Sequence, residues 1–381
     1  MPYNVDPRQQ AVRDEAKVFA DKYMYPMTDE LDRMPEPRKF PFDLYRKIGE
    51  AGFIGYAMPK ELGGEGKSNL EYITLVEELC YHDPAIGLLC AVGELAVHPI
   101  VHYASDAQKK KYVPDCASGK RVPAFVLTEP EAGSDAANQK TVAVENGDHY
   151  TVNGEKIFIM HGDVADLAVL FCRIEGAPKM SAFIVETNQP GWDKRTLKHK
   201  MGMRAATTGG IRLKDVKIPK ENLLGEVGKG FRYAMGTLDG ARIGVAAQGV
   251  GLAQRALDEA CSYAKKRQAF GAPIAKLQAI QWMIADMSTR LEAARCLTYK
   301  AALMQDRGEK FTLEASHAKL FASETARFCI DRAMQIHGGY GFIGEFSPIE
   351  KLYRDQRVLE IYEGTSEVQR LVIAANVLGG R

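Results

Sequence analysis

Apolar residues in the first third of the chain recur every three or four positions, which is the spacing of amphipathic helices. This spacing predicts five helices, over Gln9–Tyr25, Phe42–Ala51, Asn69–Tyr81, Pro84–Val101 and Asp106–Ser118. We therefore expect residues 1–118 to form an N-terminal helical domain.

The pattern changes between about Gly119 and Gly225, where apolar and polar positions alternate in short runs separated by Gly, Asn, Asp and Pro. It predicts strands over Val122–Leu127, Thr141–Glu145, Tyr150–Ile159, Leu167–Arg173, Ser181–Val185 and Gly210–Ile218. Residues 119–225 are therefore expected to form a small all-β domain between two helical ones.

Helical periodicity returns from Phe231 onward. It predicts helices over Tyr233–Lys266, Leu277–Arg307, Leu313–Gly338 and Thr365–Leu378. These lengths suit a four-helix bundle over residues 226–381, and small residues on two helix faces are typical of oligomer cores. The expected fold class is α+β, with helices predominating.

The composition and net charge of the chain exclude some classes of function. The 381 residues are 46% hydrophobic, which is enough for more than one core. Lys and Arg number 50 against 49 Asp and Glu, so the net charge of +1 offers no global attraction to nucleic acid or to an anionic membrane. The N-terminus has no signal or transit pattern, and no apolar run approaches the ~20 residues of a membrane span. We expect a cytoplasmic protein.

The seven cysteines are scattered and show no CxxC or other metal-ligand spacing. They fit reduced thiols in a packed interior better than disulfides or zinc ligands. His161, His317 and His337 are far apart in the sequence, so we expect no metal site.

A short run near the C-terminus, IYEGTSE, is the strongest candidate for chemistry. Glu363 precedes a helix that Thr365 or Ser366 can cap, so its carboxylate lies outside that helix. The Tyr362 ring can raise the carboxylate pKa, and Gly364 lets the backbone approach a ligand closely. Glu363 is thus a candidate catalytic base, although an ordinary exposed loop glutamate fits the same residue types.

Four separated motifs closely resemble, in order and spacing, the acyl-CoA dehydrogenase family. They lie at 127–135, at 267–271 with Gln278, at 335–341 and at 361–367. The resemblance covers essentially the whole chain and is nearest to short-chain or butyryl-CoA members, as seen in residues 237–244 and 353–355. It implies a middle β-barrel between the helical domains, and a homotetramer.

The resemblance also implies that FAD binds between the β-domain and the C-terminal bundle. The residues that would surround the flavin are Phe125, Val126, Leu127, Thr128, Ser134, Phe158, Ile159 and Met160. Those that would serve the adenosine diphosphate from another subunit are Arg267, Phe270 and Gln278. Those that would bind the pyrophosphate or close the site are Gln335, Ile336, His337, Gly338, Gly339, Thr365, Ser366 and Glu367. A solvated helix charge for Arg267 and core packing for Phe270 are the alternatives.

By the same resemblance, Glu363 removes the α-proton of an acyl-CoA thioester while the β-hydrogen leaves as hydride to the flavin. The backbone N–H of Glu363 and a flavin hydroxyl hold the thioester carbonyl. The electrons then pass to an electron-transfer flavoprotein. Some relatives carry the base on the helix near residue 241 instead. That position is Ala241 here, so the base is expected to be Glu363.

The residues expected to contact the acyl-CoA are Ser134, Asp239, Arg242, Tyr362, Gly364 and Glu94. For Asp239 and Arg242 the alternative is an ion pair on a helix surface. Small residues near the pocket leave room for a short, branched or cyclic acyl group. Glu94 offers a second carboxylate that could remove a proton further along the acyl chain, or it is a solvent-facing or paired glutamate.

The chain departs from the family pattern beside the flavin, where many relatives have Trp-Ile-Thr followed by Asn. Here the residues are Phe158, Ile159, Met160 and His161. Losing the threonine hydroxyl removes a hydrogen bond to the flavin edge, and losing the tryptophan changes the face toward the electron acceptor. These changes alter redox tuning or the choice of acceptor, or they have no functional effect.

Three other functions remain open. An acyl-CoA oxidase or flavin monooxygenase would use oxygen, and a non-catalytic scaffold would lack flavin. Glutaryl-type decarboxylation needs a cation in the pocket helix, which the sequence does not identify.

Overall fold

The computed structural model describes residues 7–177 and 179–379. The N-terminal helices are α1 (Pro7–Phe19), α2 (Tyr25–Arg33), α3 (Phe42–Glu50), α4 (Asn69–His82), α5 (Pro84–Tyr103) and α6 (Asp106–Ala117). The first helical segment extends further than predicted, because α1 continues through a π-helical turn, Ala20–Met24, into α2.

Helix α5 is the central helix of the N-terminal domain. Asp83 caps it by accepting hydrogen bonds from the backbone N–H groups of Ala85 and Ile86, at 2.9 and 3.1 Å. With 20 residues, this helix is long and apolar enough to span a membrane. The sequence pattern predicted no apolar segment of that length. However, 72% of its most apolar window is buried inside the protein, as in the core helix of a globular domain.

Seven strands form one curled sheet in the middle of the chain. They are β1 (Pro123–Val126), β2 (Val142–Asn146), β3 (His149–Met160), β4 (Leu167–Ile174), β5 (Met180–Glu186), β6 (Trp192–Thr196) and β7 (Thr208–Pro219). Their order is β1-β4-β2-β3-β7-β6, and β5 pairs with β4. Strand β6 was not predicted, because Trp192 is its only large apolar residue.

The pairing between β3 and β7 is irregular between Lys156 and Ile159. Phe158 lies in this irregularity with a positive φ of 59°, which turns its ring outward. Its side chain is 66% exposed. A bulge of this kind re-aims side chains at the edge of a sheet.

The C-terminal part is helical. Its helices are α7 (Gly230–Lys266), α8 (Gln278–Asp306), α9 (Thr312–His337), α10 (Gly339–Phe342), α11 (Ile349–Asp355) and α12 (Ser366–Val377). A small hairpin of β8 (Gln268–Ala269) and β9 (Ala272–Pro273) separates α7 from α8. The short helices α10 and α11 were not predicted. Helices α7 and α9 pack so closely that a Cβ added at Gly249 would lie 2.8 Å from the Ala322 carbonyl oxygen.

The expected order of helices, β-structure and helices is confirmed. Buried Lys351 links these parts, since its ammonium group lies 3.1 Å from the Asp83 carboxylate and 2.7 Å from that of Asp355. Asp355 also accepts a hydrogen bond from the Met203 backbone at 2.5 Å. One network thus joins the start of α5, a loop of the β-domain and the end of α11.

The cysteines are all free. Five are buried and Cys261 is half-buried, but Cys296 is exposed, so the expectation of a fully packed set was wrong for that residue. Among residues 7–177 and 179–379, no group of three or more His, Cys, Asp or Glu side chains is placed to hold a metal ion.

Candidate active site

The candidate base lies on a tight turn between a 3-10 helix, Gln356–Glu360, and α12. Glu363 and Gly364 have φ values of 51° and 91°, so both adopt left-handed backbone. A Cβ added at Gly364 would lie 2.7 Å from Gln369 Nε2. Position 364 therefore requires glycine, and Glu363 is held in a conformation that its residue type disfavours.

Three side chains hold the carbonyl oxygens of this 363–364 turn. Arg242 Nε donates to the Glu363 oxygen at 3.3 Å, and Lys319 Nζ donates to the Gly364 oxygen at 2.7 Å. Gln369 Nε2 donates to both oxygens, at 3.2 and 2.9 Å. The donors come from α7, α9 and α12, so the whole C-terminal bundle fixes the turn.

Glu363 opens onto a narrow cavity of about 20 Å³ between α4, α5, α7 and the turn. Small residues line much of it, including Ala91 of α5 and the α7 residues Gly240, Ala241 and Gly244. Because position 241 is alanine, α7 brings no carboxylate to this wall.

Two carboxylates line the cavity. Burial raises the pKa of Glu363 to about 7, although Lys319 and then Arg242 act to lower it. Burial also raises the pKa of Glu94 to about 7. Glu94 is half-buried, lines the cavity and has no hydrogen bond or ion pair within the described ranges, so the reading of a paired glutamate does not apply. The described lining residues include no lysine or arginine.

Asp239 and Arg242 form a half-buried pair. Arg242 Nη1 lies 2.6 Å from an Asp239 oxygen, and the other Asp239 oxygen accepts from Thr312 Oγ1 at 2.7 Å. Arg242 is buried and also binds the Glu363 carbonyl. The ion pair of the alternative is therefore present, but it is not on the surface, because Arg242 is buried and supports the turn.

The neighbours of the turn have distinct structural roles. The Tyr362 hydroxyl donates to Gln248 Oε1, and its ring lines the cavity. Thr365 caps α12 by accepting from the Val368 N–H at 3.2 Å. Ser366 is not the cap, because it is buried inside the first turn of the helix.

A second, larger cleft of about 480 Å³ lies at the end of α9. A Cβ added at Gly338 or Gly339 would meet nothing within 4 Å, so the backbone there faces open space. The Arg267 guanidinium lies 5.9 Å from the centre of the Tyr340 ring. It makes no ion pair with any residue that the structure describes, so its charge is free for an anion.

The three domain models of a single family match the chain in order. The acyl-CoA dehydrogenase N-terminal domain matches residues 6–120, the middle domain matches 124–216 and the C-terminal domain matches 228–378. The chain belongs to the acyl-CoA dehydrogenase family.

Curated relatives of this acyl-CoA dehydrogenase family member match it along nearly their whole length. The 3-(aryl)acrylate reductase of Clostridium sporogenes is 45% identical, with 97% of this chain and 98% of the relative covered. The caffeyl-CoA reductase-Etf complex subunit CarC of Acetobacterium woodii is 44% identical, with 96% and 97% covered. The solved butyryl-CoA dehydrogenase of Megasphaera elsdenii has a TM-score of 0.94 and 39% identity, with 99% and 100% covered.

The expected adenosine contacts of an acyl-CoA dehydrogenase lie around the second cleft. Arg267, with the Gln335–Gly339 segment, lines it, while Phe270 protrudes at the hairpin turn and is 93% exposed. Packing within this chain therefore does not explain Phe270. Gln278 is exposed at the start of α8.

Two members of the Gln335–Gly339 segment have structural roles instead. The Nδ1 atom of His337 forms a hydrogen bond with the Ala333 carbonyl oxygen at 2.8 Å, and the ring stacks on that of Tyr263, with centroids 4.4 Å apart. Ile336 is buried. The side chain that reaches outward here is Gln335, and Gly338 and Gly339 offer only backbone.

The expected flavin contacts gather at the end of β1 and along β3. Val126, Leu127 and Ile159 are buried, and Phe125, Thr128 and Met160 are half-buried. Ser134 is exposed on the following loop. Glu367 is exposed at the start of α12, away from this group in the sequence.

His161 packs between aromatic rings instead of making polar contacts. Its ring lies 5.0 Å from that of Phe40 and 5.7 Å from that of Tyr45, and neither ring nitrogen has a hydrogen-bond partner among the described residues. Burial lowers the pKa of His161 to about 3, so the ring is neutral.

Sequence reasoning missed the side chains that organise these loops. Buried Lys156 donates to the Leu127 carbonyl oxygen at 2.8 Å and to the Glu129 carboxylate at 2.9 Å, which fixes the loop after β1. Lys319 and Gln369 fix the 363–364 turn. A lysine within a stretch of buried alanines on α9 was the available signal for Lys319.

Proposed function

We propose that this chain catalyses the FAD-dependent α,β-dehydrogenation of a short, branched or cyclic acyl-CoA thioester to the 2-enoyl-CoA. In this proposal it works as a cytoplasmic homotetramer and passes its electrons to an electron-transfer flavoprotein. The supporting observation is Glu363, a carboxylate with a pKa raised to about 7, facing a narrow cavity from a turn held by three side chains.

Glu363 is suited to accept the α-proton. Its pKa near 7 gives a base that is partly ionised at neutral pH and still binds a proton well. The pair of electrons from the broken α-C–H bond forms the new double bond as the β-hydrogen departs. FAD, when bound, would supply the acceptor for that hydrogen as hydride and the chemistry for single-electron transfer.

The backbone N–H of Glu363 is suited to hold the thioester carbonyl oxygen. It donates to no acceptor among residues 7–177 and 179–379. In this proposal the N–H and the carboxylate of Glu363 act on one ligand from the same left-handed turn. Such preorganised donors stabilise charge that develops on an oxygen during proton removal.

The residues present fit FAD. The open backbone at Gly338 and Gly339 and the unpaired Arg267 suit a diphosphate, while the Phe158–Met160 segment and the Phe125–Thr128 segment would border the flavin ring. Phe270 and Gln278 would reach the adenosine of a neighbouring subunit.

The cavity favours a compact acyl group. Ala91, Gly240 and Ala241 keep its walls open, and Tyr362 and Gly364 would lie beside the thioester. Ser134 would contact the CoA portion, and Asp239 and Arg242 would act through the turn that they hold. A distal carboxylate is disfavoured, because Glu94 would repel it and no cation lines the described cavity.

Glu94 extends the proposal to cyclic acyl groups. It is a second proton acceptor in the same cavity, and no described residue occupies its carboxylate. In a cyclic enoyl thioester held against α5, Glu94 would take a proton from a carbon beyond the β-position. The electron pair of that C–H bond would form a second double bond while a ring hydrogen leaves as hydride, for which bound FAD would be the acceptor.

The reverse reaction is the second candidate. Two relatives are named as reductases of an arylacrylate and of caffeyl-CoA, which supports reduction of a conjugated double bond in a site of this kind. The roles of the protein groups then reverse, and Glu363 supplies the α-proton.

Anaerobic titration of the flavin-loaded enzyme tests the proposal. The visible flavin absorption should bleach with one class among straight, branched and alicyclic acyl-CoA thioesters, and Glu363→Gln should abolish the bleaching. Absence of bleaching by every thioester, with FAD bound, would reject dehydrogenation. Stoichiometric oxygen uptake during aerobic turnover would instead identify an oxidase or monooxygenase.

A further inference from the structure

Lys319 is a buried cation beside the candidate base. It lies in the middle of α9, its side chain is fully buried, and its only hydrogen bond among the described residues goes to the Gly364 carbonyl oxygen at 2.7 Å. A lysine is rarely buried unless a specific partner stabilises it. Here the partner of Lys319 is a main-chain oxygen of the turn that contains Glu363, which links the lysine to the candidate base.

The turn depends on such a donor. Two consecutive residues, Glu363 and Gly364, have left-handed backbone, and neither carbonyl oxygen accepts from any described backbone N–H. Lys319 makes the shortest of the bonds to these oxygens and the only one from an ammonium group. Bonds from charged donors are stronger than neutral ones. Lys319 is therefore the firmest anchor of the turn.

Lys319 also brings net positive charge to Glu363. The other cation close to Glu363 is Arg242, but it is paired with Asp239. Burial lowers the pKa of Lys319 to about 8, and the charge of Glu363 opposes that change. At pH 7 the lysine is thus still charged.

The remaining charged groups that act on Lys319 lie on other elements and are either paired or exposed. Glu360 of the 3-10 helix pairs with Arg327 and Arg357, at 2.7 and 3.3 Å. Glu367 of α12 is exposed, and Arg370 of the same helix pairs with Glu324 at 2.6 Å. Removing Lys319 would leave Glu363 without its unshared countercharge.

We propose that Lys319 is a positioning residue for Glu363: it anchors the 363–364 turn through the Gly364 carbonyl, and its positive charge favours the carboxylate form of Glu363. The inference rests on the proposed role of Glu363 as the base. The bond geometry and the distribution of charge support it independently of any ligand.

Two readouts test this proposal on the flavin-loaded enzyme. Infrared difference spectra between pH 5 and 9, compared with Glu363→Gln, follow the protonated carboxyl of Glu363 without substrate. In Lys319→Met this carboxyl should stay protonated to a pH at least half a unit higher than in the parent. The rate of flavin bleaching at pH 7 should fall at least tenfold, and the acid limb of its pH profile should move in the same direction.

Matched variants separate positioning from general packing. Arg370→Met removes a nearby exposed cation that touches neither turn carbonyl, so both readouts should match the parent. Lys319→Arg keeps the charge and should titrate like the parent even if its thermal midpoint falls. Propylammonium ion should restore part of the bleaching rate of Lys319→Ala, by filling the vacated site.

The outcomes distinguish the two proposals. Unchanged titration of Glu363 in Lys319→Met, or equal shifts in the Met and Arg variants, would overturn the role of Lys319. If no thioester bleaches the parent enzyme, the proposed function fails, while the infrared titration still decides whether Lys319 controls Glu363.

Discussion

Replacing Gly364 with alanine is expected to uncouple the candidate base from its cavity. The new Cβ would lie 2.7 Å from Gln369 Nε2 and 3.3 Å from Val368 Cγ1, and alanine would have to adopt φ near 91°. Left-handed backbone costs a non-glycine residue about 1 to 2 kcal/mol. Displacing Gln369 weakens its hydrogen bonds to the turn by about 1 kcal/mol more.

The sum, about 2 to 3 kcal/mol, opposes the conformation that aims Glu363. If this energy appears as a lower population of the competent turn, the bleaching rate falls roughly 30- to 160-fold, since each 1.36 kcal/mol is a factor of ten. The measurement is stopped-flow flavin bleaching under saturating thioester, with flavin content checked by absorbance.

Gly308→Ala is the matched control. Gly308 has φ of 67° at the end of α8, and a Cβ there would meet nothing within 4 Å. It should lose stability from the same backbone strain while bleaching at the parent rate. A Gly364→Ala enzyme that bleaches within threefold of the parent would refute the reasoning, because the turn would then tolerate a side chain.

Four further predictions concern pH and ligands. The value of kcat/KM should rise with pH until about 7, where Glu363 becomes ionised. The Glu363→Asp variant should also show a rate that rises with pH. A rate that does not depend on pH would contradict the role of Glu363 as the base. Burial raises the pKa of Glu94, so the contribution of this side chain to stability is present below about pH 4.5 and is lost as pH rises through 7. The Glu94→Gln variant should therefore melt at a higher temperature than the parent, and the difference should be larger at pH 8 than at pH 5. The same variant should slow turnover of cyclic thioesters at least tenfold but leave straight-chain turnover unchanged, as seen by steady-state assay. Arg267→Gln should weaken FAD binding about tenfold in equilibrium dialysis, whereas exposed Lys266→Gln should not.

The order of the three parts followed from periodicity, because most elements have clear helical or alternating patterns. Strand β6 escaped detection since a single tryptophan gives no alternation, and α10 and α11 are too short to establish a period. The domain boundaries at 118 and 225 remain predictions.

Glu363 could be identified from sequence because its turn, its cap and its glycine are adjacent in the chain. Lys319 could not, since it is 45 residues from Gly364 and its role depends on where α9 meets the turn. The alternatives for Glu94 and for the Asp239 and Arg242 pair likewise needed three-dimensional packing to decide between burial and exposure.

The network of Lys351 has a consequence for how this scaffold can change over evolutionary time. It fixes α5 at its N-cap, Asp83, whereas the side chains that shape the candidate acyl cavity come from the second and third turns of that helix. Under the proposed function, mutations at Leu88, Ala91 or Glu94 can therefore alter which acyl group is accepted without shifting the helix against the candidate base. New substrate preferences can arise by single substitutions while the proton-transfer geometry is inherited intact.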